Sequence, residues 1–258
     1  MMASTLVLGN SQARYFYQHI DANDQMHIIS KSGLTFEKAW LQLRNIVSNY
    51  SILVLHLGFD EIAKRESDEV TLSKYQALVE KLWGIHPTLK IVISGIPPRG
   101  DNRFTNMIVK DSYIRSFNEE AKSVNTGLSS VSSLLPQLFF IGHGYFMTNG
   151  CLDRSLFGRD GVHFSMSGVR TVVNSIKLCV KYVSKQSDSI KVRDSVKKVK
   201  QSNSVKVRDI FKKDKQSDSI KVRDSVKKDK QSDSVKVRDI FKKDKQSDSI
   251  KEANHGKL

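Results

Sequence analysis

The sequence predicts an α/β fold: a three-layer α/β/α domain with a five-stranded parallel sheet over residues 1–184, then a low-complexity repeat tail over residues 185–258. Three observations carry that reading. Five short apolar runs recur along the first part, stretches of helical spacing alternate with them, and the pattern then gives way to a tandem repeat.

The apolar runs fall at residues 5–8, 26–29, 52–55, 90–93 and 138–141. They are rich in Val, Ile, Leu and Phe with little polar alternation, as expected of strands buried on both faces. Helical spacing marks 13–19, 36–47, 72–83, 108–124 and 167–183. Strands alternating with helices require crossover connections, which build a parallel sheet with helices on both sides.

From Lys185 onward the chain repeats with a period of 15 residues. The run Lys185-Gln186-Ser187-Asp188-Ser189-Ile190 returns, with small changes, at Lys200, Lys215 and Lys230, and begins again at Lys245. On a helix Val192 and Val196 would share a face with Ile190 nearly opposite; as a strand, alternation lasts only from Ile190 to Val192. Neither period is sustained, so the tail is expected to be solvated and disordered, with transient helix the alternative. It holds 23 Lys or Arg against 12 Asp or Glu, +11 of the formal +15, which leaves the globular part only mildly basic. The cations can neutralise phosphates, but Asp is interleaved throughout and Phe211 and Phe241 are the tail's only aromatics. Nucleic-acid or protein contacts through this tail are therefore expected to be weak.

Two cysteines, Cys151 and Cys179, are too few for a disulfide framework and lack zinc-site spacing. No basic leader precedes a long apolar stretch, and no run approaches the ~20 apolar residues of a membrane span. The chain reads as intracellular, in the cytoplasm, with no membrane contact. No cofactor or metal is implied.

Two motifs carry chemistry. The first apolar run ends in Gly9-Asn10-Ser11, which sets a serine where a strand turns into a helix and exposes it near helix N-terminal amides. Asp160-Gly161-Val162-His163 stands just before the last helical stretch. A carboxylate three residues before a histidine can accept the Nδ1 hydrogen and leave Nε2 as a base. Either motif alone is also an ordinary helix cap or loop hydrogen bond.

Together, and with the order of the strands, these motifs resemble the SGNH/GDSL hydrolase family over residues 5–183. Its serine block resembles Leu6-Val7-Leu8-Gly9-Asn10-Ser11, with Asn10 where Asp is usual. The glycine block resembles Lys31-Ser32-Gly33-Leu34-Thr35, the third block Gly58-Phe59-Asp60-Glu61, and the fifth Asp160-Gly161-Val162-His163. The run of residues 93–99 and the pair Phe117-Asn118 resemble the version seen in animal proteins and retroelement-encoded esterase domains. The resemblance implies a flavodoxin-like sheet of order 2-1-3-4-5, a small acyl-ester substrate, and a Ser11, His163, Asp160 triad. It also implies an oxyanion hole from the Ser11 and Gly33 amides and the side chain at position 60.

At position 60 the family's third block usually has Asn, and this chain has Asp60. An ionised carboxylate has no hydrogen to donate and repels a developing oxyanion. Losing one such donor costs about 100-fold to 1,000-fold in rate. A protonated Asp60 could donate if burial near Glu61 raised its pKa, and Asp60→Asn is expected to restore the donor and speed turnover. The competing functions are a catalytically degenerate binding module and an interaction protein dominated by its repeats. His56, inside the third run, reads as an interior histidine, and His143 as an ordinary loop histidine, with lining of the cleft the lesser alternative. Trp40 and Trp83 read as core packing.

Overall fold

The computed structural model describes residues 4–104, 108–148 and 150–190, so the repeat tail beyond Ile190 lies outside the described residues. Five parallel strands, β1 (Thr5–Gly9), β2 (Met26–Ser30), β3 (Ile52–His56), β4 (Lys90–Ser94) and β5 (Leu138–Ile141), lie in the order β2-β1-β3-β4-β5. Gly9 is in register with Ser30 on one side and His56 on the other. The carboxyl ends of these three strands are therefore level, and the loops that leave them share one rim.

Successive strand residues face opposite sides. Leu6, Leu8, Leu53, Leu55, Ile91 and Ile93 pack into the layer formed by α1 (Phe36–Leu43), α2 (Phe59–Ala63), α3 (Asp68–Ile85) and α4 (Asp111–Leu134). Val7, Val54 and Val92 face the other layer, a 3-10 helix at Ser11–His19 and α5 (Met166–Ile190). Along α5, Val169, Val172, Val173, Ile176, Val180 and Val183 turn inward at three- and four-residue spacing. Each such burial stabilises by about 1.5–3 kcal/mol relative to exposure.

Local signals set the helix starts. Thr35 Oγ1 accepts the Lys38 N–H, and Ser67 Oγ accepts the Val70 N–H with Asp68 and Glu69 in the first turn, where the helix dipole favours negative charge. Three details depart from the sequence pattern. Edge strand β2 is only partly buried, because it has one neighbour and little helix cover. The first helix is 3-10 along its whole length, and α5 runs to Ile190, beyond the apolar spacing that ends at residue 183. No described helix is long and apolar enough to cross a membrane.

Candidate active site

β1 ends at Gly9, where a Cβ would stand 2.6 Å from the Ala13 Cβ and 3.3 Å from the His56 Cβ. Glycine lets the chain turn here while the following helix stays against the sheet. Asn10 caps that helix, its Oδ1 accepting the Gln12 N–H at 3.0 Å, and Ser11 is the first helical residue. A first-turn N–H has no partner within its helix, so the Ser11 amide is free of the helical ladder. The side chain is half-buried at the rim.

His163 reaches the same rim from a loop pinned by backbone. Phe157 and Phe164 bridge its ends, and Gly158 N–H donates to His163 O at 2.7 Å. Gly161 has φ of +69°, and a Cβ there would lie 2.4 Å from Asp101 O. That close approach lets Gly100 N–H donate to Gly161 O at 2.8 Å. Arg103 N–H likewise donates to Arg159 O, and Arg154 pairs with Asp101 at 2.9 Å. The loop after β4 thus serves as the bed for the histidine loop.

Within it, Asp160 Oδ1 accepts the Val162 and His163 amides at 2.9 and 3.0 Å. Its Oδ2 lies 2.5 Å from His163 Nδ1, and His163 Nε2 lies 3.0 Å from Ser11 Oγ. Burial pushes the Asp160 carboxyl up, but hydrogen bonds from the His163 ring and these two amides outweigh it and hold it below its usual range. An ionised acceptor at Nδ1 puts the neutral ring's hydrogen there and leaves the Nε2 lone pair facing the Ser11 hydroxyl. Residues 152 positions apart are thereby brought to hydrogen-bonding distance. Buried Gln12 adds a link that sequence reading missed: its Nε2 donates to Val162 O at 2.9 Å, tying the serine helix to the histidine loop. Apart from its place beside Ser11, nothing in the sequence signals it.

Of the remaining candidates, Gly33 sits exposed in the turn after β2 with φ of +64°. Its segment leaves the sheet beside the Ser11 turn, with Lys31 N–H donating to Gly9 O and Ser30 Oγ to Asn10 O. Gly33 makes no hydrogen bond to the Ser11, His163, Asp160 line. Asp60, in the first turn of α2, accepts from Asn10 Nδ2 at 3.4 Å. The burial that the sequence reading sought at Asp60 falls instead on Glu61, which is 1% exposed and whose carboxylate oxygens have no partner outside its own backbone among the described residues. Burial pushes the Glu61 carboxyl up to about 7, with Asp60 and Glu66 adding repulsion while its own backbone N–H and Lys74 oppose.

His56 and His143 are both buried and joined through Ser94, whose Oγ lies 2.9 Å from His56 Nδ1 and 2.8 Å from His143 Nε2. His143 Nδ1 meets the Tyr145 hydroxyl at 2.7 Å, so this loop histidine belongs to an internal polar chain. Among the described residues, His56 Nε2 has no hydrogen-bond partner. Burial lowers His56 to about 4 and, helped by its neighbour His56, lowers His143 to about 3. Trp83 is buried with Nε1 donating to Leu89 O, and Trp40 packs at the edge of the same core. Asn118 and Asn125 clasp the backbone of Arg99 and Ile96 through both ends of their amides, shaping the loop after β4. A groove of about 800 Å³ lies beyond that loop, with Ile96, Pro98, Phe140, His143 and α4 among its walls.

No family model and no curated protein sequence matches the chain. Solved structures do match. A GDSL-like lipase from Bacteroides thetaiotaomicron is 17% identical, with 70% of this chain and 88% of that one covered and a TM-score of 0.52. The C-terminal catalytic domain of peptidoglycan O-acetyltransferase A from Streptococcus pneumoniae is 14% identical, with 72% and 97% covered and a TM-score of 0.53. The chain is similar to both in fold, a five-stranded parallel sheet between helical layers.

Proposed function

We propose that the chain is a serine ester hydrolase of the SGNH/GDSL family, working by acyl transfer through Ser11, His163 and Asp160. The observation that carries this reading is the continuous line from Asp160 through both ring nitrogens of His163 to Ser11 Oγ, at 2.5 and 3.0 Å. In the first step His163 Nε2 takes the Ser11 proton as Oγ bonds to the ester carbonyl carbon. The oxyanion so formed is met by the Ser11 amide and by the Gly33 amide. The imidazolium, stabilised by Asp160, then protonates the departing alkoxide. Water, deprotonated by His163, releases the acid from the acyl-serine.

The substrate class is a small acyl ester, since the rim offers an exposed histidine and a half-buried serine. The two free cysteines, Cys151 exposed at the surface, accord with a reducing intracellular setting. Turnover of short chromogenic esters by the purified chain tests the reading, with Ser11→Ala as the control. Hydrolysis abolished by Ser11→Ala supports it. Hydrolysis absent, or unchanged by that substitution, overturns it in favour of a non-catalytic binding module.

A further inference from the structure

We infer that Asp60 is a positioning residue: by accepting a hydrogen bond from the Asn10 amide it fixes which way that amide points, and through it the turn that carries Ser11. The inference rests on the hydrolase reading above and gives Asp60, which accepts from Asn10 Nδ2, a part other than oxyanion donor, so it reverses the sequence-based expectation that Asp60→Asn speeds turnover.

Asn10 is 2% exposed and is held by several segments at once. Its N–H donates to His56 O at the end of β3, at 3.3 Å, and its carbonyl accepts the Ser30 hydroxyl at 2.8 Å and the Ala13 N–H at 3.1 Å. Its side chain spans the nucleophile turn, Oδ1 accepting the Gln12 N–H at 3.0 Å while Nδ2 donates to Asp60 Oδ2 at 3.4 Å. The two ends of a primary amide are not equivalent, since the oxygen only accepts and the nitrogen only donates. Turned over, Asn10 would set its NH₂ against the Gln12 N–H and leave a buried donor unpaired, at about 1–3 kcal/mol.

Asp60 Oδ2 accepts at the nitrogen end of the amide, so it selects the working orientation from the side away from Gln12. An amide at position 60 could present either end and would select less strongly. The Asn10 to Gln12 bond bridges Ser11, so the amide's orientation bears on the peptide that presents both the hydroxyl and the Ser11 N–H. Asp60 is itself located by the turn at Gly58, whose φ of +91° and 2.7 Å approach of a Cβ to Ile96 Cδ1 favour glycine. The turns after β1 and β3 are thus joined by one hydrogen bond, and the acid in it orients the nucleophile through Asn10.

Kinetics of a short chromogenic ester, with thermal midpoints recorded to separate folding losses, test this in the full chain. Asp60→Ala is expected to lower kcat by about 10-fold to 100-fold, as a displaced catalytic group does, with KM within about twofold. Asp60→Asn lowers kcat less, because its Oδ1 can still accept. Asn10→Asp, which opposes two carboxylates, loses about as much as Asp60→Ala or more. The double variant Asn10→Asp with Asp60→Asn restores the bond with donor and acceptor exchanged, and recovers about 10-fold over Asn10→Asp alone. Combining Asn10→Asp with Glu61→Gln removes a different neighbouring acid and recovers nothing. A double variant no faster than Asn10→Asp, rescue by Glu61→Gln, or an Asp60→Asn protein faster than wild type each overturns the inference. Absence of Ser11-dependent turnover in wild type overturns the hydrolase reading, and this role with it.

Discussion

Glu61→Gln should make the protein's stability less sensitive to alkaline pH. Glu61 is buried beside Asp60 on α2, and among the described residues neither carboxylate oxygen has a hydrogen-bond partner outside its own backbone. Burial, with repulsion from Asp60 and Glu66, raises its pKa from 4.5 to about 7, while its backbone N–H and Lys74 pull the other way. The folded chain therefore binds a proton that the unfolded chain releases between these values. Stability from this group is fully present below 4.5 and is lost as pH rises through about 7. At about 1.4 kcal/mol per pH unit, that interval amounts to about 3 kcal/mol between pH 4.5 and pH 8. Glutamine does not ionise, but its unpaired amide carries a pH-independent penalty of about 1–3 kcal/mol. The slope with pH is thus the quantity to compare, not the level. Urea unfolding of wild type and Glu61→Gln at pH 5, 6, 7 and 8 should give a free-energy difference that shifts by about 2–3 kcal/mol in the variant's favour across the series. Parallel stability curves would refute the reasoning and mean that Glu61 is ionised or hydrated in the folded protein.

Other consequences follow from the same contacts. His56 and His143 are lowered to about 4 and about 3, below the ordinary 6.5, so the unfolded chain takes up protons first; stability should fall by up to about 1.4 kcal/mol per pH unit for each as pH drops from about 6.5 to 4, measured by urea unfolding. Ser94→Ala removes the hydroxyl both rings share and should cost about 2 kcal/mol or more in the same assay at pH 7. Gly161→Ala combines a φ of +69° with a Cβ 2.4 Å from Asp101 O, so both the thermal midpoint and ester turnover should drop as the His163 loop is displaced. Asp160→Asn should leave the circular dichroism unchanged and lower kcat by roughly 10³-fold to 10⁴-fold, because an amide need not hold the Nδ1 hydrogen.

The sheet was legible because Leu6-Val7-Leu8, Leu53-Val54-Leu55 and Ile91-Val92-Ile93 are buried on both faces and lack polar interruptions. β2 was harder to describe, since an edge strand needs only one covered face and its His27 and Ser30 are exposed. The short α2 went unseen because five residues are too few for an apolar period to emerge. At the site, Asp160 and His163 lie three apart and state their relation locally, whereas Gln12 meets Val162 across 150 positions and carries no local signal. His143 read as a loop residue because its burial comes from Tyr145, Phe146 and Ser94, which only the folded sheet brings together. Neighbouring acids at 60 and 61 have different surroundings, because successive helical side chains point about 100° apart. Glu61 turns into the core and Asp60 toward Asn10.

The most direct test of the account is to treat the chain with a fluorophosphonate, which phosphonylates an activated serine, and to map the adduct by peptide mass. One equivalent should form on Ser11, none on the Ser11→Ala protein, and far less on His163→Ala, since the proposed base, His163 Nε2, lies 3.0 Å from Ser11 Oγ. An unmodified Ser11, or labelling at the same rate without His163, would contradict it.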